Sequence, residues 1–169
     1  MKASLTLIFV AMSSLCLSTS SSLVELGKGT YTWWGISIYN ASLWGAQPFN
    51  GDYGRTRPLR LNIRYLMDIE GEELVETTMD EWLDLELDKT TECQDINRWE
   101  KQLNKIWPDI KEGDQLTLDV MTTGESIFLF NEQPIGRIKD PFFAGCFLAI
   151  WLHEATNAPA LREQLLGLQ

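Results

Sequence analysis

Three aromatic side chains are the first candidates for a binding or reacting cleft: Tyr39, Tyr65 and Trp44. Each falls on a run with strand character, and a tyrosine on a half-buried sheet offers an apolar body with a hydroxyl at its tip, which suits a cleft wall. The other reactive residue types make no catalytic pattern. His153 is the single histidine, set in Trp151-Leu152-His153-Glu154, and no Cys-x-x-Cys occurs, so a zinc site of the usual ligand sets is not expected. His153 reads as a surface residue after a helix. Asp80, Glu81, Asp84, Glu86 and Asp88 interleave with apolar residues at helical spacing and read as a solvated outer face. Ser126 has no histidine or aspartate near it in sequence, and Gly27-Lys28-Gly29 lacks the context of a phosphate loop. No cofactor and no metal is expected.

The elements that must position these residues follow from periodicity. Leu23 to Tyr65 has strand character: Leu23–Leu26, then Gly27-Lys28-Gly29 as punctuation, then Thr30–Trp34 and Ile36–Trp44 around Gly35. Leu59 to Tyr65 alternates, apolar on every odd position and polar on every even one, which predicts a strand with one wet face in an antiparallel sheet. Between them, residues 45–58 form a link rich in Gly, Asn, Asp and Pro, long enough to be functional or mobile. The period then changes. Leu74, Val75, Met79, Trp82 and Leu83 share a face of a helix opening near Gly71, and Ile96, Trp99, Leu103, Ile106 and Trp107 mark a second, stopped by Pro108. Strands return at Leu116–Val120 and Ile127–Phe130, the latter apolar on both faces and therefore internal, and a turn at Asn131-Glu132-Gln133 leads to a strand ending at Ile138. Phe142, Phe143, Cys146, Phe147, Ile150 and Trp151 form an apolar stripe on a helix over Asp140–Leu152. A last helix carries Leu161, Leu165 and Leu166 between Pro159 and Gly167. Strands, two helices, strands and two helices argue an α+β domain with helices packed on one face of an antiparallel sheet.

Composition bounds the setting. With 169 residues the chain fits one domain, and 7 Trp with 7 Phe supply an ample core. Met1-Lys2, the apolar run Leu5–Leu17 and the small polar exit Ser18–Ser22 have the layout of a secretory signal peptide, so residues 1–22 are read as a leader and 23–169 as the domain, periplasmic or secreted. Cys16 follows Leu15, a poor fit to a lipid-attachment signal. Loss of the leader removes one Lys and no acid, taking the net charge from −10 to −11. So acidic a chain is repelled by phosphate backbones, which argues against nucleic acid as a partner. No later segment is apolar over the roughly 18 residues a membrane helix needs. Of the two cysteines that remain, Cys146 reads as a small core residue and Cys93 lies in a polar link, so two free thiols are expected.

Several stretches together resemble the bacterial chalcone-isomerase-like family. Ile38-Tyr39-Asn40-Ala41-Ser42-Leu43-Trp44 is similar to its Tyr-Asp-Ala-x-Leu-Tyr strand, and Leu61 to Glu72 to its strand-to-helix step. Trp107-Pro108-Asp109-Ile110-Lys111-Glu112-Gly113-Asp114 is the strongest stretch, followed by Asn131–Gly136, Ile150-Trp151-Leu152 and Pro159-Ala160-Leu161-Arg162. The resemblance implies an open-faced β-sandwich, a large antiparallel sheet covered by a layer of helices. It also carries over the roles of the plant enzymes, which steer a phenolate with a guanidinium and stabilise an enolate with hydrogen-bond donors. Here the strand threonine falls near Tyr39, the arginine near Lys28, and the helix tyrosine and asparagine at Leu74 and Glu81. Loss of both donors implies no chalcone cyclisation above the uncatalysed rate. Three readings remain. One is a non-catalytic module binding a small apolar or amphipathic ligand between sheet and helices, with Tyr39, Tyr65, Lys28 and Trp44 as cleft candidates. The second is an isomerase or lyase using Tyr39, Tyr65 or Lys28. The third is an interaction domain of the cell envelope, hinted at by the tryptophans and the 45–58 loop.

Overall fold

The computed structural model describes residues 23–168; the leader read over residues 1–22 lies outside the described residues. Six strands run in sequence order across one antiparallel sheet: β1 (Val24–Trp33), β2 (Ile36–Gly45), β3 (Leu59–Tyr65), β4 (Gln115–Val120), β5 (Ser126–Phe130) and β6 (Gln133–Ile138). Helices α1 (Gly71–Asp84) and α2 (Ile96–Ile106) lie between β3 and β4 in sequence; α3 (Phe143–Leu152) and α4 (Pro159–Leu166) follow β6. This is the open-faced α+β sandwich that the periodicity and the resemblance point to. Among the described residues no helix is long and apolar enough to cross a membrane.

Register assigns each side chain to a face. Tyr31, Tyr39 and Tyr65 are cross-strand neighbours, as are Ala41 and Ile63, and Leu61 and Leu118; these point toward the helices. Lys28, Ser42 and Asn62 alternate with them and face away. Two hairpins use two-residue turns with both residues at positive φ: Trp34 (49°) and Gly35 (80°) between β1 and β2, Asn131 (48°) and Glu132 (68°) between β5 and β6. This turn matches the right-handed twist of the strands and favours Gly and Asn. Asn131 is further held by its side chain, which accepts from the Gln115 backbone N–H at 2.9 Å and donates to Asp114 at 2.9 Å.

Against the expected break at Gly27-Lys28-Gly29, β1 is one ten-residue strand with a bulge near Leu26. The glycines do not punctuate it; they make room for α4. A Cβ at Gly27 would lie 2.0 Å from the Gln164 carbonyl oxygen, and one at Gly29 would lie 1.8 Å from Gln164 Oε1.

Helix α3 is buried along its whole length: all ten residues but Gly145 are buried. Such a helix belongs to the middle of a layer rather than its surface. The expected stripe was therefore too narrow, since Leu148 and Leu152 are also buried, while Phe142, before the first turn, is 55% exposed. In α1 the inward face is Gly71, Val75, Thr78 and Trp82, and Leu83 lies outside it, half exposed. Trp82, Trp99, Phe143 and Phe147 meet ring to ring at 5.4–5.8 Å between Trp82–Trp99, Trp99–Phe143 and Phe143–Phe147. Polar tips are paired: Trp82 Nε1 donates to the Cys146 carbonyl at 3.0 Å and Trp99 Nε1 to Asp140 at 3.2 Å.

The two cysteines correct the expectation of free thiols. Cys93 and Cys146 form a disulfide, with Cα atoms 5.8 Å apart, and both are buried. The α1–α2 link reads as polar, yet it buries Leu87 and Cys93 as it folds back onto α3. That fold-back is a tertiary fact with no periodic trace in the sequence.

Gly27→Ala should lower stability by about 1–3 kcal/mol, the usual cost of forcing atoms into a packed contact, because here the obstacle is helix backbone. Denaturant unfolding of both proteins checks it; an unchanged midpoint would contradict the packing of α4 on β1.

Candidate functional site

The layer of helices does not cover the whole inner face. At the Tyr31–Tyr39–Tyr65 end of the sheet a cavity of about 830 Å³ lies between β1, β2 and β3, helices α1 and α3, and the segment joining α3 to α4. That is within the range of small-molecule sites. Its deep wall is apolar: Ile63, Leu116, Trp107, Phe147, Ile150 and Leu74. It reaches the surface at the β1–β2 hairpin, where Trp33 and Trp34 are 58% and 87% exposed.

The tyrosines form a row. Tyr31 and Tyr39 stack at 5.1 Å, and Tyr39 meets Tyr65 edge-on at 5.9 Å. Trp151, from α3, donates Nε1–H to the Tyr39 hydroxyl at 2.8 Å and so fixes that ring. Tyr65 is 4% exposed, and among the described residues its hydroxyl has no hydrogen-bond partner. Burial pushes the Tyr39 and Tyr65 hydroxyls well above the ordinary phenol value; for Tyr39 the Trp151 hydrogen bond only partly opposes this. Tyr31 is raised too, by burial and then by Glu81. All three are neutral hydroxyls at physiological pH, able to donate a hydrogen bond but not poised as bases.

Helix α1 supplies the polar rim. Glu73, Thr77, Asp80, Glu81 and Asp84 line the cavity, and their spacing puts them along one side of a helix. Asp80 and Asp84 are solvated as the sequence reading holds, but the face they occupy borders a cavity, and Glu81 is half-buried there. Burial raises the Glu81 carboxyl above its usual range, helped by Asp84 and Asp80 and opposed by Asn157. Asn157 Nδ2 donates to Glu81 at 3.1 Å and lies 3.3 Å from Asp84.

Of the sequence candidates, Tyr39 and Tyr65 line this cavity, as do Leu74 and Glu81. Lys28 and Trp44 do not join them. Lys28 lies on the other face of the sheet, beside a shallow hollow of about 270 Å³, and pairs with Glu25 at 3.0 Å. Trp44 is on that face too, its Nε1 donating to Ser42 at 3.0 Å. His153 accepts the Ala155 backbone N–H at Nδ1 (3.1 Å) and is not a lining residue. Residues 45–58 also contribute none; Arg57 ties that loop together by donating to the carbonyls of Tyr53, Gly54 and Thr56. Sequence reading missed Trp33, Trp34, Trp107 and Asn157. The helical spacing of Glu73, Thr77, Asp80, Glu81 and Asp84 was the available signal for the rim.

The stretch 107–110 holds this end of the fold together. Trp107 lines the cavity, the Asp109 carboxylate accepts the N–H of Gly71 at the start of α1 (2.9 Å), and Ile110 pairs with Ile69. A model of the chalcone isomerase-like family matches residues 10–167. The chain belongs to that family. Among solved structures, an Arabidopsis thaliana fatty-acid binding protein shares the chalcone isomerase-like fold seen here, with a TM-score of 0.64 and 12% identity over 86% of this chain and 87% of that one. No curated protein matches the sequence.

The contrast within the tyrosine row is testable. Tyr39→Phe strips a buried Trp151 N–H of its acceptor and should cost about 1–3 kcal/mol. Tyr65→Phe removes a hydroxyl without a partner and should change stability by about 0.5 kcal/mol or less. Thermal or denaturant unfolding ranks the two variants; equal losses would contradict the geometry.

Proposed function

We propose that this chalcone isomerase-like protein is an exported, non-catalytic module that holds a small apolar or amphipathic ligand between sheet and helices. The observation that carries the reading is the cavity of about 830 Å³, walled by aromatic and aliphatic side chains and reaching the surface at Trp33 and Trp34. A domain serving only as an interaction surface has no need of such a hollow interior. The fatty-acid binding protein of the same fold supports an apolar cargo.

Non-catalytic is favoured over isomerase by what lines the cavity. Its tyrosine hydroxyls, raised by burial, are not poised as bases, and the positions that the family resemblance pairs with the enzymes' helix donors hold Leu74 and Glu81. Neither a leucine nor a carboxylate stabilises a developing oxyanion. Export is supported by the leader pattern of residues 1–22, by the likeness of the strand motifs to exported bacterial members, and by the Cys93–Cys146 disulfide, which suits an oxidising compartment.

Titration with the neutral fluorophore N-phenylnaphthylamine should give saturable binding of one probe per chain. Leu74→Trp, which fills the cavity from α1, should weaken it at least ten-fold with the near-ultraviolet dichroism of the fold retained. Unsaturable binding, or binding indifferent to that substitution, would sink the reading. Export predicts a mature N-terminus between about Ser18 and Val24, read by N-terminal sequencing of protein from the producing cell; a chain retaining Met1 would overturn it.

A further inference from the structure

The charge around the cavity is one-sided. Glu73, Asp80, Glu81 and Asp84 line it, and no Lys, Arg or His is among its lining residues. Among the described residues none of these four carboxylates takes part in a salt bridge, although seven ion pairs form elsewhere. The neutral side chain of Asn157 is the donor that reaches Glu81. Further along the wall, the Tyr65 side chain is 4% exposed, and among the described residues its hydroxyl makes no hydrogen bond. A bound carboxylate would meet these four acids with no counter-charge in a partly desolvated site, which opposes it. A cation there would offset the burial of the Glu81 carboxyl and the smaller repulsion from Asp84 and Asp80, which together raise it. Trp33, Trp34 and Tyr31 at the same rim add aromatic faces, which attract ammonium groups. A metal ion does not fit, since among the described residues no three His, Cys, Asp or Glu side chains converge closely enough to hold one.

We infer that the ligand is a single-chain amphiphile with an ammonium head: its apolar body lies against Tyr39, Tyr65 and Phe147, and its cationic end sits at Glu81 and Asp84. This rests on the ligand-binding reading above and gives that ligand its charge. The chemistry is opposite to a fatty-acid anion, although the fold is shared with a protein named for binding one.

The test is displacement of bound N-phenylnaphthylamine at low salt by decyltrimethylammonium, decylammonium, decanoate and decanol, each below micelle formation. Both cations should displace the probe at concentrations at least ten-fold below decanoate, with decanol between. In the double variant Glu81→Gln/Asp84→Asn the cation-to-decanoate ratio should fall toward one. The ratio is read within each protein, so a general loss of affinity cancels. Glu125→Gln, beside β5 and outside the cavity, should leave the ratio in place. Decanoate displacing as well as the cations, or a preference that survives Glu81→Gln/Asp84→Asn, would overturn the inference while leaving apolar binding intact. Failure of the probe itself to bind would instead remove the underlying reading.

Discussion

The whole arrangement depends on burying α3. A ten-residue helix that is apolar all round has no face to give to water, so sheet, α1, α2 and α4 must enclose it. The enclosure is aromatic: Phe128 from the sheet, Trp82 from α1, Trp99 from α2, and Phe143 and Phe147 from α3 itself. The Cys93–Cys146 bridge fastens the α1–α2 link to the same helix. Across the domain, α4 reaches β1 only because Gly27 and Gly29 lack side chains.

The cavity is a consequence of that geometry. Helix α3 packs tightly at its Phe143 end and ends at Leu152, with Trp151 reaching Tyr39 through a hydrogen bond rather than filling the remaining space. The space beyond it, bounded by the inner face of β1 and β2 and by α1, is the cavity. Core packing and site formation are therefore linked through Trp151: the residue that ends the aromatic series also orients the first wall of the cavity. The acids of α1 set the electrostatic character of the mouth, while its inward stripe of Val75, Thr78 and Trp82 packs into the core and meets the cavity at Thr78.

What was legible in the sequence was what has a period. Leu59–Tyr65 alternates because one face of β3 is buried, and α2 ends at Ile106 before Pro108, as the pattern of Ile96, Trp99 and Leu103 requires. Tyr39 and Tyr65 are on the inner face by the same alternation. Long-range approach left no trace of that kind. The glycines of β1 look like a break until α4 is seen against them, and Cys93 looks solvated until its link folds under. Lys28 and Trp44 lie within the right strands but with the wrong parity, so they face away from the cavity. The acids of α1 look like an ordinary wet surface, since nothing local says that the surface borders a hollow.

Native mass spectrometry of protein purified without detergent from the cell that makes it is the most direct measurement of the central claim. One small organic ligand per chain should be held in the native spectrum and released when the protein is denatured. A native mass equal to that of the polypeptide alone, unchanged after incubation with an excess of single-chain amphiphiles, would contradict it.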